Sequence, residues 1–558
     1  MKHRLISAVI VLLVACGGSD GGDTQPAQDG DQSDGNSGDD VVASSDGEDI
    51  GTTDDGSDIS DGEEVGTTDE DAGSTTDEDA GSTTDEDAGS TTDEDVGSTT
   101  DEDAGSTTDE DVIEEEPLPG PIPEGTWHAV GGSVNESLSG SISPEFVDLT
   151  YDVDENPVIA FTERAVVAGP QKCEEKSAHL FVMRYTGNGW THADGMTPGA
   201  ENVSAGTDGE FEPRYASNPS VAVMPDGGLV LGWTSATTCL AGKKGATVMA
   251  RIYNPNKGWS DLGEGSTSDF GITDTNLNHA SRIRIDPLGR PVVIYVTANT
   301  APGQFGGFLH VRRYEDLKWT GVGGAGQGQG LSEGLLAADI INEFMDLDFN
   351  TNAEPVVTWS TLDLASLVGF VLYKEHKNGE WVDVDGSGQD PGVSPDYQLV
   401  LPNPAVAVTP FGRTHLVWTK TFTGTTGYDM PLYHASVLPG EKWAPKSGGG
   451  ESGIIPYEAL SRPNLVIGPG DRPFLSFTRH DQDMKLGSPN DSVGVMVYHP
   501  EDGSFQPLKE TMDAIPPTGW EVPRVGFAAT KNRVGVAWIQ RKYKKTQNGA
   551  LLHYAEYP

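Results

Sequence analysis

Cysteine is almost missing from these 558 residues, which hold it at Cys16, Cys173 and Cys239 alone. A disulfide framework and a thiolate metal centre are thereby excluded. Basic residues are scarce, 35 Lys and Arg against 87 Asp and Glu, for a formal charge of −52. The one short basic run, Arg541-Lys542-Tyr543-Lys544-Lys545, stands alone in an acidic chain, too little for the electrostatic footprint of a nucleic-acid binder. The longest N-terminal apolar run, residues 5–15, falls short of the ~20 residues that a transmembrane helix needs. Apolar residues never keep a helical period over a useful length, which argues against a helical fold. No segment carries the Asp, Gly and terminal Glu spacing of a calcium loop. Neither a catalytic motif nor a cofactor fingerprint stands out, so no cofactor or metal is expected.

What is there begins at the N-terminus. Met1-Lys2-His3-Arg4 is a basic start to the apolar run, the grammar of an export signal. The run closes on Leu13-Val14-Ala15-Cys16, which resembles the lipobox of bacterial lipoproteins. That resemblance implies cleavage of residues 1–15 and acylation of Cys16, an anchor in the cell envelope. The next residues, Gly17-Gly18-Ser19-Asp20, carry no aspartate at the second position, which by the same analogy points to the outer membrane.

From 17 to 116 there are 37 Asp and Glu, no Lys or Arg, and no aromatic residue. Thr-Thr-Asp-Glu-Asp units recur there, their acidic triplets starting at Asp69, Asp77, Asp85, Asp93, Asp101 and Asp109. So little apolar surface cannot offset the entropy of ordering, and the segment is expected to be a disordered, charge-stretched spacer. It accounts for most of the charge, leaving −17 for residues 117–558. Pro117, Pro119, Pro121 and Pro123 then make a stiff junction over 117–125.

Residues 126–558 carry two interleaved aromatic ladders. One reads Phe161, Trp233, Tyr295, Trp359, Trp418, Phe477, Trp538; the other reads Trp127, Trp190, Trp259, Trp319, Trp381, Trp443, Phe505. Rungs about 60 residues apart mark a repeat architecture. Each unit has an alternating strand (Ile283-Arg284-Ile285) and a Gly/Pro turn (Asp286-Pro287-Leu288-Gly289-Arg290). An apolar strand ending on the first rung (Pro291-Val292-Val293-Ile294-Tyr295) follows. A loop of varying length, a third strand and a short turn (Asn378-Gly379-Glu380) then lead to the second rung. Four short strands with turn signals describe a propeller blade.

The fold class expected is therefore all-β, a seven-bladed β-propeller of four-stranded blades. The last unit lacks a fourth strand, and Thr126-Trp127-His128-Ala129-Val130 supplies one, closing the ring. The repeat resembles that of bacterial seven-bladed propeller proteins with Asp-x-x-Gly-x-Pro-Val-Val-x-Trp and Asn-Gly-x-Trp segments. That resemblance covers 126–558 and implies a fold, with hardly any statement of activity.

Turns after the first and third strands are short, whereas the loops over 162–177, 194–218, 323–344, 385–403 and 479–492 are long. Variable loops on a rigid scaffold carry function, so the long-loop face is the expected binding face. Trp520, the one tryptophan off the ladders, lies there with Arg164, Arg214, Arg462 and Arg479. Tyr215, Phe344, Tyr397 and Tyr457 precede first strands as Trp520 does, which favours a wedge between blades over a ligand platform.

Charges within first strands are read as ion pairs around the channel: Arg282 and Arg284 facing Asp346 and Asp348, and Arg524 facing Asp148. Cys173 and Cys239 occupy the same loop of adjacent blades. In an exported chain they read as a disulfide, worth about 4 kcal/mol on the chain-entropy model. His310, His376, His434 and His553 sit on different third strands and form no metal set. Sialidases place Ser-x-Asp-x-Gly-x-x-Trp boxes between strands three and four; here the Asp-Gly turns lie between strands one and two. The reading is a monomeric, lipid-anchored propeller binding a glycan or protein. The alternatives are an exported polysaccharide hydrolase or lyase, and a structural envelope scaffold.

Overall fold

The computed structural model describes residues 119–122, 124–130, 143–165, 177–193, 215–237, 245–267, 271–273, 278–298, 307–324, 339–363, 368–388, 392–394, 397–398, 402–419, 432–443, 463–481, 490–508, 520–542 and 550–558. The folded unit is all-β, and no described helix is long and apolar enough to cross a membrane. Blade one is Ser143–Tyr151, Pro157–Ala165, Ser177–Tyr185 and Trp190–His192. Blade two is Tyr215–Val223, Leu229–Thr237, Gly245–Asn254 and Gly258–Asp261; blade three is Asn278–Ile285, Pro291–Ala298, Gly307–Glu315 and Lys318–Gly321. Blade four is Asp339–Phe349, Pro355–Asp363, Val368–Lys377 and Glu380–Val382. Asn403–Val408, Thr414–Thr419 and Leu432–Val437 make blade five, where Trp443 takes the fourth-strand rung edge-on to Tyr373, centroids 5.2 Å apart. Blade six is Asn464–Gly468, Arg472–Asp481, Asn490–His499 and Ser504–Pro507. Trp520–Ala529, Val534–Lys542 and Leu551–Tyr557 form blade seven, whose fourth strand is the N-terminal His128–Ala129, in register with Glu556 and Ala555.

Within each blade the strands are antiparallel neighbours in chain order. Alternating side chains leave both sheet faces apolar, so each blade must pack on two neighbours. Seven separate hydrophobic clusters result, one at each joint of the ring, including the joint between blades seven and one. All seven first-ladder aromatics are at most 2 % exposed. The ring is a closed seven-bladed β-propeller.

The outer ladder does a second job. The indole N–H of Trp190, Trp319 and Trp381 donates to the carbonyls of Val130, Leu262 and Val322, each just past the fourth strand of the preceding blade. A half-buried indole needs such an acceptor. The first turn of six blades is sealed by a side-chain oxygen that accepts a backbone N–H ahead of it, Asp226 doing so for Gly228 N in blade two. Asp152, Asp286, Asn350, Thr409 and Thr530 take this role in the other five. These residue types favour such turns because the side chain imitates a backbone acceptor.

Candidate functional site

First strands run from the long-loop side toward the short turns and line the central channel. Being innermost, they have an unpaired edge whose N–H groups need partners. Side chains of the preceding blade supply them. Asp148 Oδ2 accepts from Val221 N at 2.9 Å, Asp346 Oδ2 from Val406 N at 3.1 Å, and Asp348 Oδ2 from Val408 N at 2.7 Å. The Ser220 hydroxyl accepts from Ile283 N and donates to Ile283 O, each at 3.1 Å. Blade seven uses Gly526 instead, so that its backbone lies against that of Asp148.

Arg282 stands at the same level. Its Nη1 donates to Asp346 Oδ1 at 2.5 Å and its Nη2 lies 3.5 Å from Asn464 Oδ1, on blade six. One guanidinium thus touches blades on both sides of the axis and obstructs the channel. Burial opposes its charge, but Asp346 and Asp148 outweigh burial and raise its pKa. Burial pushes Asp348 up to about 6, against the N–H groups of Val408 and Phe349 and the charge of Arg284. Arg524 holds its guanidinium 5.0 Å from the Phe146 ring centroid.

Above this floor the first strands change. The pairing of first with second strand shifts register in five blades: between Pro144 and Phe146, Ser217 and Ser220, Asn278 and Ala280, Ile341 and Met345, and Glu521 and Arg524. Asn218, inside one shift, has a positive φ of 48°. Bulges at a common height bend the strands at the channel mouth, where such features re-aim side chains.

A buried polar belt lies at that height on the second strands. Thr162, Thr234, Ser360, Thr419 and Thr478 directly follow rung aromatics, and Glu163, Ser235, Thr297, Thr361 and Gln540 come one step later. The hydroxyls of Thr162, Ser360, Thr361 and Thr419 have no hydrogen-bond partner among the described residues. An unmade bond of this kind costs about 1–3 kcal/mol, so a water or ligand hydroxyl would gain by reaching them. Two buried carboxylates share the long-loop end, Glu163 on blade one and Asp491 on blade six. The aromatic-then-Thr/Ser pattern was visible in the sequence as a signal for this belt.

Arg164 and Arg479 close second strands on the long-loop side, in register with Ser143 and Ser492, and Trp520 opens the first strand of blade seven opposite Lys542. The side chains of these three, and the whole of Arg214, Arg462, Tyr457, Cys16, Cys173 and Cys239, lie outside the described residues. Tyr215 and Tyr397 pair by backbone with Ala178 and Gly369, on the third strand of the preceding blade.

The third-strand histidines are spent on packing. His310 and His553 stack on the rungs Tyr295 and Trp538, His376 Nδ1 lies 2.6 Å from Glu354 Oε2, and His434 Nε2 lies 3.0 Å from His415 Nδ1. Burial holds His415 well below the usual range and takes His434 to about 3, so one neutral ring donates to the other. Among the described residues no group of three His, Cys, Asp or Glu side chains is placed to hold a metal ion.

No family model and no curated protein matches the chain. It is similar to a solved protein of unknown function from Dyadobacter fermentans, at 12 % identity and TM-score 0.40, over 78 % of this chain and 100 % of that one. The intramolecular trans-sialidase from Ruminococcus gnavus is similar at 10 % identity and TM-score 0.37, over 76 % and 96 % of the two chains. An α-L-arabinanase from Penicillium chrysogenum matches at 14 % and 0.37, over 61 % and 92 %. Likenesses at this level carry no functional statement, and the fold rests on the strand order above.

Proposed function

We propose that the protein is a cell-envelope lipoprotein, acylated at Cys16, which presents the long-loop face of its propeller to a glycan or a protein ligand. The observation that supports this most is the inequality of the two ends of the channel. The short-turn end is built of sealed hairpins, and the channel is obstructed at Arg282. The long-loop end has bulged first strands over a buried belt that is mostly neutral hydroxyls, four of them without a partner among the described residues. Neutral donors and acceptors suit sugar hydroxyls or peptide groups better than ions. In this reading Trp520, Arg164, Arg214, Arg462 and Arg479 are the contact residues, and a Cys173–Cys239 disulfide staples two of the loops.

The test is a glycan array probed with residues 117–558, with every hit assayed for turnover. Binding without turnover that is lost in Trp520→Ala or on reduction supports the proposal. Turnover that is lost in Glu163→Gln or Asp491→Asn would establish a hydrolase or lyase instead, the second reading that these two buried acids favour. Silence on glycans and on envelope-protein pull-downs would leave the scaffold role.

A further inference from the structure

The closing blade has the shortest of the described fourth strands. His128–Ala129 spans two residues, against three or four in the other blades whose fourth strand is described. Two register pairs, with the His128 Nε2 contact to Glu556 Oε1 at 3.1 Å, give a blade edge little hold. The residues before that strand do not run free. Gly125 N donates to the Tyr557 hydroxyl at 3.1 Å, and Ile122 packs on the cluster between blades six and seven. Further back, Gly120 N donates to Gly470 O at 2.9 Å, and Arg472 Nε donates to Gly120 O at 2.6 Å. The Arg472 guanidinium is buried and also holds Tyr498 O at 3.0 Å. Gly470 has a φ of +70°, and a Cβ on it would stand 2.9 Å from Gly120 O, so this crossing is shaped for two glycines.

We propose that this segment is a latch which closes the ring across two blades, fastening the first turn of blade six to the outer edge of blade seven. The two-residue strand is then only the last of three holds: at Gly120, at Gly125 and at His128–Ala129. The chain also enters the propeller at the short-turn rim.

Hydrogen exchange of the full chain tests the latch from both ends. Gly120→Val attacks the blade-six end, since a Cβ there already stands 3.0 Å from the Gly470 Cα. Ile122→Asp attacks the blade-seven end. Each variant should speed exchange about tenfold both in Asn464–Gly468 and in Leu551–Tyr557, with Asn278–Ile285 of blade three unchanged. Acceleration confined to the nearer blade would mean two independent contacts and would overturn the latch. So would no acceleration, or an equal rise in blade three, which would signal general destabilisation.

Discussion

At the scale of single residues, buried titratable groups of opposite tendency sit in one ring. The pKa of Asp348 is raised from 3.8 to about 6, so its stabilising contribution is full below 3.8 and is lost as pH rises through about 6. Asn keeps an acceptor for Val408 N without the charge. Asp348→Asn should therefore unfold later than the parent chain above pH 6, and the gain should vanish near pH 4, read from melting temperatures across that range. The histidine pair works the other way. His415 and His434 are depressed, so their contribution is full above 6.5 and is lost as pH falls toward about 3. Valine stands at the site of His415 in blades one to four (Val158, Val230, Val292, Val356), and Val182, Val311 and Val495 stand at the site of His434. A His415→Val, His434→Val chain should show a smaller decline in melting temperature between pH 6.5 and 4, whatever its baseline, the remainder belonging to His553, which burial lowers to about 4.

At the scale of elements, the connections after the fourth strands are more ordered in purpose than loops. In blades two and four they turn back onto the third strand of their own blade. Ile272 N donates to Val248 O and Val393 N to Val371 O, while the Ser266 and Ser387 hydroxyls donate to Ala250 O and Tyr373 O. Short fourth strands leave that edge uncovered, and these clasps cover it. Gly271 and Gly392 make the approach possible, with φ of +61° and +67°, and a Cβ on either would run into the carbonyl it crosses. Gly392→Ala should cost upward of about 1 kcal/mol of stability in urea unfolding. It should also raise exchange along Val368–Lys377.

At the scale of the molecule, stability is distributed over seven joint cores, and the N-terminal residues complete the last blade. Removing residues 1–130 takes away Trp127, whose ring lies 5.6 Å from that of Tyr557, and bares the edge of Leu551–Tyr557. Such a chain should lose roughly 3 kcal/mol. It should also self-associate through the open edge, as light scattering after size exclusion would detect. A monomer as stable as the parent would contradict this account of closure.

The blades, their number and their closure were legible because they follow from local patterns. Alternation sets the strands, Asp-x-x-Gly marks the turns, and the aromatic spacing counts the units, so Trp127 could be matched to a missing rung before any coordinates. The placing of Arg282 and Asp346 on adjacent first strands was legible for the same reason, since neighbouring repeats share a register. Other features have no local signature. Arg282 meets Asn464 across 182 residues because ring closure brings blades three and six to one axis. A bulge adds residues that read in sequence like any loop, and the His415–His434 pair looks like two unrelated histidines. Gly120 and Gly470 become partners only once residues 119–122 lie against the first turn of blade six. Periodicity in the chain determines what each blade is and what lies beside it. Contacts across the ring and at its seam depend on curvature and blade number, which the seven joints set together.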